Sequence, residues 1–229
     1  MKIEKARILI PQFDSDLLLK KLERYGRVCY KSEDSFNKTN SSGMLKTIIE
    51  KNHESVLEHE KLTMLFVIDR GVSHELVRHR IASYSQESTR YCNYSKDKFG
   101  NEITVIEPIF FNDEKKKIWE YTIEMIEKNY FHLLELGATP QEARSILPNS
   151  LKTEIAVTMN IRSLRNFLSL RCSKSAHPQI KEVAIPLLIY LKEKLTPLFA
   201  DISYDIDFSE TNYAKIIETN DFFEEIKWN

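Results

Sequence analysis

Glycine is scarce in this chain of 229 residues, and the scarcity excludes the usual loops that bind phosphate through backbone amides. The five glycines are isolated from one another, so neither a G-x-G-x-x-G pattern nor a P-loop is present. Any dinucleotide would therefore have to be held by side chains. A Gly-x-Ser-x-Gly pattern is also missing, which argues against an acyl-serine mechanism.

Cysteines and long apolar runs are also few. Cys29, Cys92 and Cys172 are odd in number and lack metal-type spacing, and no signal peptide or membrane-length apolar run occurs. His53 and His59 are six residues apart, whereas a zinc-protease helix needs histidines four apart. These features predict a cytoplasmic protein of a reducing compartment, with no metal and no membrane partner.

Charges of the two signs nearly balance, with 33 Lys+Arg against 34 Asp+Glu and a pI near 6.6. Such a chain has no global basic field, which argues against nucleic acid as its partner. No linker or charge run divides the sequence, so we predict one domain spanning residues 1–229. The tail 201–229 is acidic and aromatic without periodicity, and we expect it at the periphery or on a neighbouring subunit.

Residues 78–94 concentrate cationic and hydroxyl side chains. The set comprises Arg78, His79, Arg80, Ser83, Ser85, Gln86, Ser88 and Arg90, opposed only by Glu87. Guanidinium groups form bidentate hydrogen bonds to phosphate, and serine hydroxyls add neutral donors. An extended backbone here would put the following residues on one side: Arg80, Ala82, Tyr84, Gln86, Ser88 and Arg90. We therefore predict a local site for a polyanion and a neighbouring polar ring.

Two other interpretations of residues 78–94 stay open. The ordinary structural one is a charged strand and turn whose arginines pair with surface carboxylates. The other is a nucleic-acid-binding module that stacks bases on Tyr84, Tyr91 and Tyr94. Balanced overall charge disfavours that module, and an oligonucleotide affinity that falls steeply with salt would support it.

Apolar patterning predicts an α+β fold in which a β-sheet is flanked by long helices. Strands are predicted at 7–10, 62–68, 103–106 and 151–160, and helices near 15–22, 44–49, 72–77, 112–136, 160–171 and 178–194. A short helix opens at Thr139 and Pro140, and a turn is predicted at 96–100. Pro186 should kink or break the last helix. A helical stripe from Trp119 to Leu133 should form core or subunit packing.

Two further segments carry polar side chains suited to a ligand. If residues 53–59 are extended, His53, Ser55, Leu57 and His59 lie on one side; otherwise the histidines are hydrogen-bonded structural residues. In the helix at 160–171, the side chains predicted to face one way are Arg162, Arg165 and Asn166, and those predicted to be buried are Leu164, Phe167, Leu168 and Leu170. The alternative for that helix is ordinary amphipathic packing.

The chain resembles the flavin-dependent thymidylate synthases, whose signature is Arg-His-Arg, seven residues, then Ser. Here it is Arg78-His79-Arg80 followed by Ser88. The fuller signature also matches at Ser83 and Arg90, but Ser85 replaces Asn and Gln86 replaces Glu. Further matches in order are His53-Glu54 to His59, Arg144, Asn160-Ile-Arg162-Ser-Leu, Asn166-Phe-Leu and Arg171, so the resemblance covers roughly 120 residues.

This resemblance implies an α+β subunit in a homotetramer, with active sites shared between subunits and FAD bound without a Rossmann motif. The residues that would contact FAD are His53, Ser55, Arg78, His79, Arg80, Gln86, Asn160, Arg162 and Asn166. The residues that would hold dUMP are Glu75, Arg78, Gln86, Glu87, Ser88, Thr89, Arg90, Arg144 and Arg171. Arg171 would face the pyrimidine as the catalytic residue.

The resemblance also implies the reaction. A methylene group passes from 5,10-methylenetetrahydrofolate to uracil C5 and is reduced by hydride from flavin, which NADPH regenerates. Ser88 would be a binding hydroxyl rather than a nucleophile. Gln86 removes a charge from the site that flavin and nucleotide would share. Separately, a family member that hydroxymethylates rather than methylates dUMP is an alternative.

Overall fold

A five-stranded mixed sheet forms the centre of the protein. The computed structural model describes residues 1–35, 41–95 and 100–222. The strands are β1 (Lys2–Glu4), β2 (Arg7–Ile10), β3 (Lys61–Asp69), β4 (Ala82–Gln86), β5 (Thr104–Ile106), β6 (Lys152–Asn160) and β7 (Lys215–Glu218). The sheet order is β4-β6-β3-β2-β7, and β1 and β5 form a separate parallel pair.

The longest pairing joins β3 and β6, which run antiparallel from Lys61 opposite Asn160 to Asp69 opposite Lys152. β3 is an apolar run that is buried over its last six residues, whereas β6 alternates between buried and half-buried positions. An alternating strand presents one face to the core. The predicted strands at 62–68 and 151–160 are therefore confirmed.

The described helices pack against the five-stranded sheet or beside the small parallel pair. They are α1 (Ser15–Tyr30), α2 (Ser41–Glu50), α3 (Arg70–Leu76), α4 (Asp113–Glu135), α5 (Pro140–Ala143), α6 (Ile161–Arg171), α7 (Pro178–Lys194) and α8 (Thr196–Phe199). Short 3-10 turns occupy Glu33–Ser35, Glu54–His59, Arg144–Ile146 and Glu210–Asn212. The main core joins residues of α1, α2, α6 and α7 to the inner face of β3 and β6. The predicted α+β class is confirmed.

Helix α4 builds a second, smaller core. Asn112 caps its first turn by accepting a hydrogen bond from the backbone of Lys115. Ile123 and Tyr130 are buried, and the rest of the predicted stripe packs against the same cluster. This cluster also takes in Val105 of β5, so α4 packs beside the small parallel pair.

Several expectations are corrected by the structure. Helix α7 continues through Pro186, so the break expected there as one of two outcomes is wrong, while the kink stays a prediction. Leu170 is 54% exposed rather than buried, because it lies on the outer side of α6. Of the two alternatives left open for residues 53–59, the extended one is wrong, since a 3-10 turn begins at Glu54 and buries Leu57. Of the turn predicted at 96–100, residues 96–99 lie outside the described part of the chain.

The segment after Asp201 is more closely integrated than we expected. Its strand β7 pairs in parallel with β2 at the edge of the sheet, and Ile202 and Ala214 belong to the main core. The expectation of a peripheral tail therefore does not hold for residues 201–218. In the described ranges, no helix combines the length and apolarity needed to cross a bilayer.

Candidate active site

Arg171, at the end of α6, is fixed against the α3 helix and the turn that follows it. Its Nη1 donates to Glu75 Oε2 at 2.7 Å, its Nη2 donates to the Glu75 carbonyl at 3.3 Å, and its Nε donates to His79 Nε2 at 3.1 Å. Three of the five guanidinium N–H groups thus have partners in the described protein. The cation is held in one orientation with donor capacity left for a ligand.

His79 is a neutral hydrogen-bond acceptor in this arrangement. Burial lowers the pKa of its imidazole, and the nearby Arg171 charge lowers this pKa further. Because Nε2 accepts from Arg171, the ring proton lies on Nδ1. The edge contact with Phe167, with ring centroids 5.0 Å apart, completes the packing of His79.

The two arginines that flank His79 are in a different environment. Arg78 and Arg80 are both exposed, and no ion pair with another residue of the described ranges engages either guanidinium. Tyr84 fixes the backbone between α3 and β4, since its hydroxyl is 2.9 Å from the Leu76 carbonyl and 2.7 Å from the His79 carbonyl. Two cations are thus presented to solvent on an ordered turn.

Gln86 lies at the end of the edge strand β4 and points towards α3. Its Nε2 is 2.9 Å from Ser73 Oγ and 3.2 Å from Thr153 Oγ1. The inner side of β4 thus carries Ala82, Tyr84 and Gln86, as the alternation predicted.

Beyond Gln86 the chain leaves the strand, so the predicted extension of this face to Ser88 and Arg90 is wrong. Thr89 is buried, and its hydroxyl accepts from Arg144 Nη1 at 3.4 Å. Ser88 Oγ accepts from the Arg90 backbone at 3.3 Å. The exposed Arg90 guanidinium lies 5.6 Å from the centre of the Tyr91 ring. A turn therefore gathers Ser88, Thr89 and Arg144 in place of a continued strand.

The Glu87 carboxylate is engaged within the protein. Tyr94 donates to its Oε1 at 3.1 Å, and Lys152 Nζ lies 3.9 Å from its Oε2. Burial raises the pKa of this carboxyl group. Its backbone N–H donates to the Glu154 carbonyl at 2.8 Å, so Glu87 joins the turn to β6.

A cleft of about 460 Å³ brings together three of the predicted cofactor residues. It is lined by His53, Ser55 and Arg162, together with Cys29, Tyr30, Asn52, Glu54 and Val56. The Tyr30 hydroxyl forms a hydrogen bond with His53 Nδ1, and the two rings are stacked. Tyr30 was not predicted, because nothing in the local pattern distinguishes it from other residues at the end of α1.

A neighbouring cavity of about 310 Å³ contains Asn166, Glu54 and Arg165. Arg165 is buried and does not share the exposed side of Arg162, contrary to the prediction. Its guanidinium makes two 2.8 Å bonds to the Asp201 carboxylate, a third bond to the Leu198 carbonyl, and a 3.1 Å bond from Nε to Glu54. Charge-assisted bonds of this geometry hold α6, the turn at Glu54 and residue 201 together.

Arg162 and Asn160 complete the N-terminal end of α6. Arg162 Nη1 is 2.6 Å from Glu58 Oε1, and its Nε is 3.7 Å from Glu54. Asn160 is the helix cap, since its Oδ1 accepts from the Ser163 backbone at 2.8 Å.

No group of three or more His, Cys, Asp or Glu side chains suited to a metal occurs in the part of the chain that the structure describes.

Comparison with known proteins places this chain in a family. The family model described as "Thymidylate synthase complementing protein" matches residues 18–197, a range that contains every residue predicted to contact FAD or dUMP. A flavin-dependent thymidylate synthase from Geobacter sulfurreducens is 34% identical over 182 residues, which cover 76% of this chain and 78% of that protein.

Two solved structures share the fold. A UMP/dUMP methylase from Streptomyces cacaoi, bound with 5-Br dUMP, has a TM-score of 0.72 at 21% identity and covers 87% of this chain and 96% of its own. A flavin-dependent thymidylate synthase from Helicobacter pylori, complexed with FAD and dUMP, has a TM-score of 0.70 at 24% identity and covers 86% and 99%. Together with the signature at Arg78-His79-Arg80 and Ser88, the family match and the Geobacter relative establish that the chain belongs to the flavin-dependent thymidylate synthase family.

Proposed function

We propose that the protein converts dUMP to dTMP by reductive methylation, with 5,10-methylenetetrahydrofolate as carbon donor and FAD reduced by NADPH. The observation that carries this proposal is the cluster of Arg171, Glu75 and His79. It unites the central histidine of the family signature with an arginine 92 residues later in the chain. Such a preorganised cation suits a reaction in which negative charge develops on a pyrimidine ring.

The proposed nucleotide site uses the cations beside that cluster. Arg78, Arg90 and Arg144 would bind the dUMP phosphate, with Ser88 and Thr89 as neutral donors. The exposure of Arg78 and Arg90 supports this assignment, because a guanidinium without a protein carboxylate can bind phosphate at full charge. Glu75, Gln86 and Glu87 would lie near the sugar and base. The Glu87 carboxylate is engaged with Tyr94 and its backbone N–H with Glu154, so its contact would be through the backbone carbonyl.

The residues proposed for FAD fit an extended dinucleotide held by side chains. The cleft of about 460 Å³ offers His53, Ser55 and Arg162, and Asn166 lines the adjoining cavity. Arg78, His79, Arg80 and Gln86 would extend this site, while Asn160 would act by starting α6. When bound, the flavin supplies the hydride that reduces the transferred carbon.

Within the reaction, the protein orients the reactants and stabilises charge. Arg171 is already held by Glu75 and His79, so it needs little reorganisation when charge appears on the pyrimidine. The low pKa of His79 keeps its imidazole neutral near pH 7, which leaves Arg171 as the cation of this cluster. Ser88 binds substrate, and among the described residues no base lies beside it to make it a nucleophile.

We also propose a single-domain subunit, a cytoplasmic location and a homotetramer whose active sites are shared between subunits. The separation of the flavin residues into a cleft and a cavity, each open at the surface, supports a site that other subunits complete. Light scattering measures the assembly directly. A mass near one 26.9 kDa subunit would rule out the shared site.

Spectroscopy tests the cofactor, the reductant and the substrate together. The purified protein is incubated with FAD, desalted, and treated anaerobically with NADPH in the presence and absence of dUMP. We expect retained flavin bands that NADPH bleaches and dUMP alters. Failure to retain flavin at any FAD concentration would refute the proposal.

Ser85 and Gln86 both depart from the family signature at the site, so we keep one second candidate, hydroxymethylation of a pyrimidine nucleotide. The mass of the nucleotide product separates the two reactions, since a hydroxymethyl group carries an oxygen that a methyl group lacks.

A further inference from the structure

The Gln86 side chain is clamped by two hydroxyl groups from the protein interior. Ser73 and Thr153 are both fully buried, and their oxygens lie 2.9 Å and 3.2 Å from the amide nitrogen of Gln86. Ser73 comes from α3 and Thr153 from β6. The amide is therefore held by two different elements of the core.

The direction of these hydrogen bonds follows from the number of hydrogens. Ser73 Oγ donates its hydrogen to the Arg70 carbonyl at 2.8 Å, so it can only accept from Gln86. An amide nitrogen carries two N–H groups, and the two hydroxyl oxygens take one each. Gln86 then has no donor left, and its carbonyl oxygen Oε1 is the only group that it can offer to a ligand.

We infer that Ser73 and Thr153 are positioning residues that make Gln86 an acceptor-only contact for a hydrogen-bond donor of the bound nucleotide. This inference rests on the proposed function. The donor is either the N3–H of uracil or the 3′-hydroxyl of deoxyribose, the two hydrogen-bond donors on the base and sugar of dUMP. The clamp also accounts for the amide at this position, since a clamped amide and a carboxylate both present oxygen alone to the ligand.

Selectivity follows from this arrangement. A nucleotide that lacks the donor would leave Oε1 without its hydrogen bond, and an unpaired acceptor at a desolvated site is unfavourable. The expected penalty is about tenfold in affinity, which corresponds to one ordinary hydrogen bond.

The test measures, on the FAD-loaded protein, whether changes at Ser73 and Thr153 alter the preference for dUMP over analogues that lack one donor. Calorimetry gives the affinities for dUMP, for dCMP, which lacks N3–H, and for 2′,3′-dideoxy-UMP, which lacks the 3′-hydroxyl. The variants are Thr153→Val, Ser73→Ala and the conservative Thr153→Ser, with flavin retention and circular dichroism as checks on folding. Thr158→Val is the matched control, because Thr158 lies on the same strand but its hydroxyl bonds Thr63 on the opposite, exposed face.

We expect the wild type to bind at least one analogue about tenfold more weakly than dUMP. Thr153→Val and Ser73→Ala should reduce this difference in affinity several-fold, because dUMP loses the oriented acceptor of Gln86, whereas the analogue never formed that hydrogen bond. Thr153→Ser and Thr158→Val should keep the wild-type ratio. The identity of the discriminated analogue tells which donor Gln86 meets.

Two results would overturn the inference while leaving the proposed function intact. The first is an equal affinity of the wild type for dUMP and both analogues. The second is an affinity ratio of dUMP to analogue that stays unchanged in Thr153→Val and Ser73→Ala, because a purely structural role would weaken the binding of all ligands equally. If the FAD-loaded wild type binds none of the nucleotides, the proposed function fails, and the inference fails with it.

Discussion

Replacement of Arg171 by alanine tests the central element of the proposed site. The change removes an ion pair of 2.7 Å to Glu75, a 3.3 Å bond to the Glu75 carbonyl and a 3.1 Å bond to His79. Loss of a preorganised donor to developing charge typically lowers kcat by about 10²–10³-fold, or roughly 3–4 kcal/mol. We expect a loss of at least this size, effectively abolishing methylation, while FAD stays bound.

The effect on stability should be smaller. Charge-assisted hydrogen bonds contribute about 1.5–3 kcal/mol when buried, but the Arg171 side chain is 23% exposed and its partner Glu75 is 32% exposed. We therefore expect the free energy of unfolding to fall by about 2 kcal/mol. Lys174→Ala is the matched control, because it removes a fully exposed ion pair three residues later and should change neither activity nor stability.

His79 provides a spectroscopic readout of the same change. Burial and the Arg171 charge both lower the pKa of its imidazole, so removal of that charge should raise this pKa towards the ordinary value. Proton NMR of the histidine ring measures the shift. Turnover within tenfold of wild type in Arg171→Ala, with an unchanged His79 pKa, would refute both the catalytic role and the electrostatic reasoning.

Three further predictions concern residues away from Arg171. Gln86→Glu should keep dTMP formation within about tenfold of wild type, or ~1.4 kcal/mol in the barrier, and complete loss would indicate a site adapted to another pyrimidine. Burial raises the pKa of Glu182 to about 8, so its contribution to stability is full below its ordinary pKa of 4.5 and is lost as pH rises through about 8. In urea unfolding at pH 9, Glu182→Gln should therefore be more stable than the wild type, by at most about 5 kcal/mol. Near pH 4 the two proteins should be equally stable. Equal stability at both pH values would contradict the burial argument. Arg165→Met should lower the free energy of unfolding by about 3 kcal/mol, because it leaves Asp201 and Glu54 without their shared cation, and an unchanged urea midpoint would show that this network is dispensable.

Local sequence patterns were sufficient to predict most helices and strands, because each has its own hydrophobic periodicity. The apolar run of β3, the alternation of β6 and the 3.6-residue stripe of α4 depend only on which side chains face the core. Caps behave similarly, and Asn112 and Asn160 both start the helices that their positions predict. Residues 53–59 stayed open between an extended segment and hydrogen-bonded structural histidines, because a short polar segment has no period long enough to separate a 3-10 turn from a strand.

The partners of charged side chains were less predictable. Arg165 and Arg162 are three residues apart on one helix, yet one is buried in the bond to Asp201 and the other pairs with Glu58 near the surface. Those acids lie 36 and 104 residues away. No spacing rule links residues so far apart, because chain folding decides which carboxylate reaches which guanidinium.

The sequence by itself determined the family, the α+β class and the residues of the signature, because these depend on residue identity and on short-range periodicity. Only the tertiary structure decided how the signature is used. In the folded protein, Arg171 is bonded to Glu75 and His79, both amide hydrogens of Gln86 are donated to Ser73 and Thr153, and β4 ends before Ser88. Those outcomes depend on hydrogen-bond geometry between distant segments, and this geometry exists only once the core has brought the segments together.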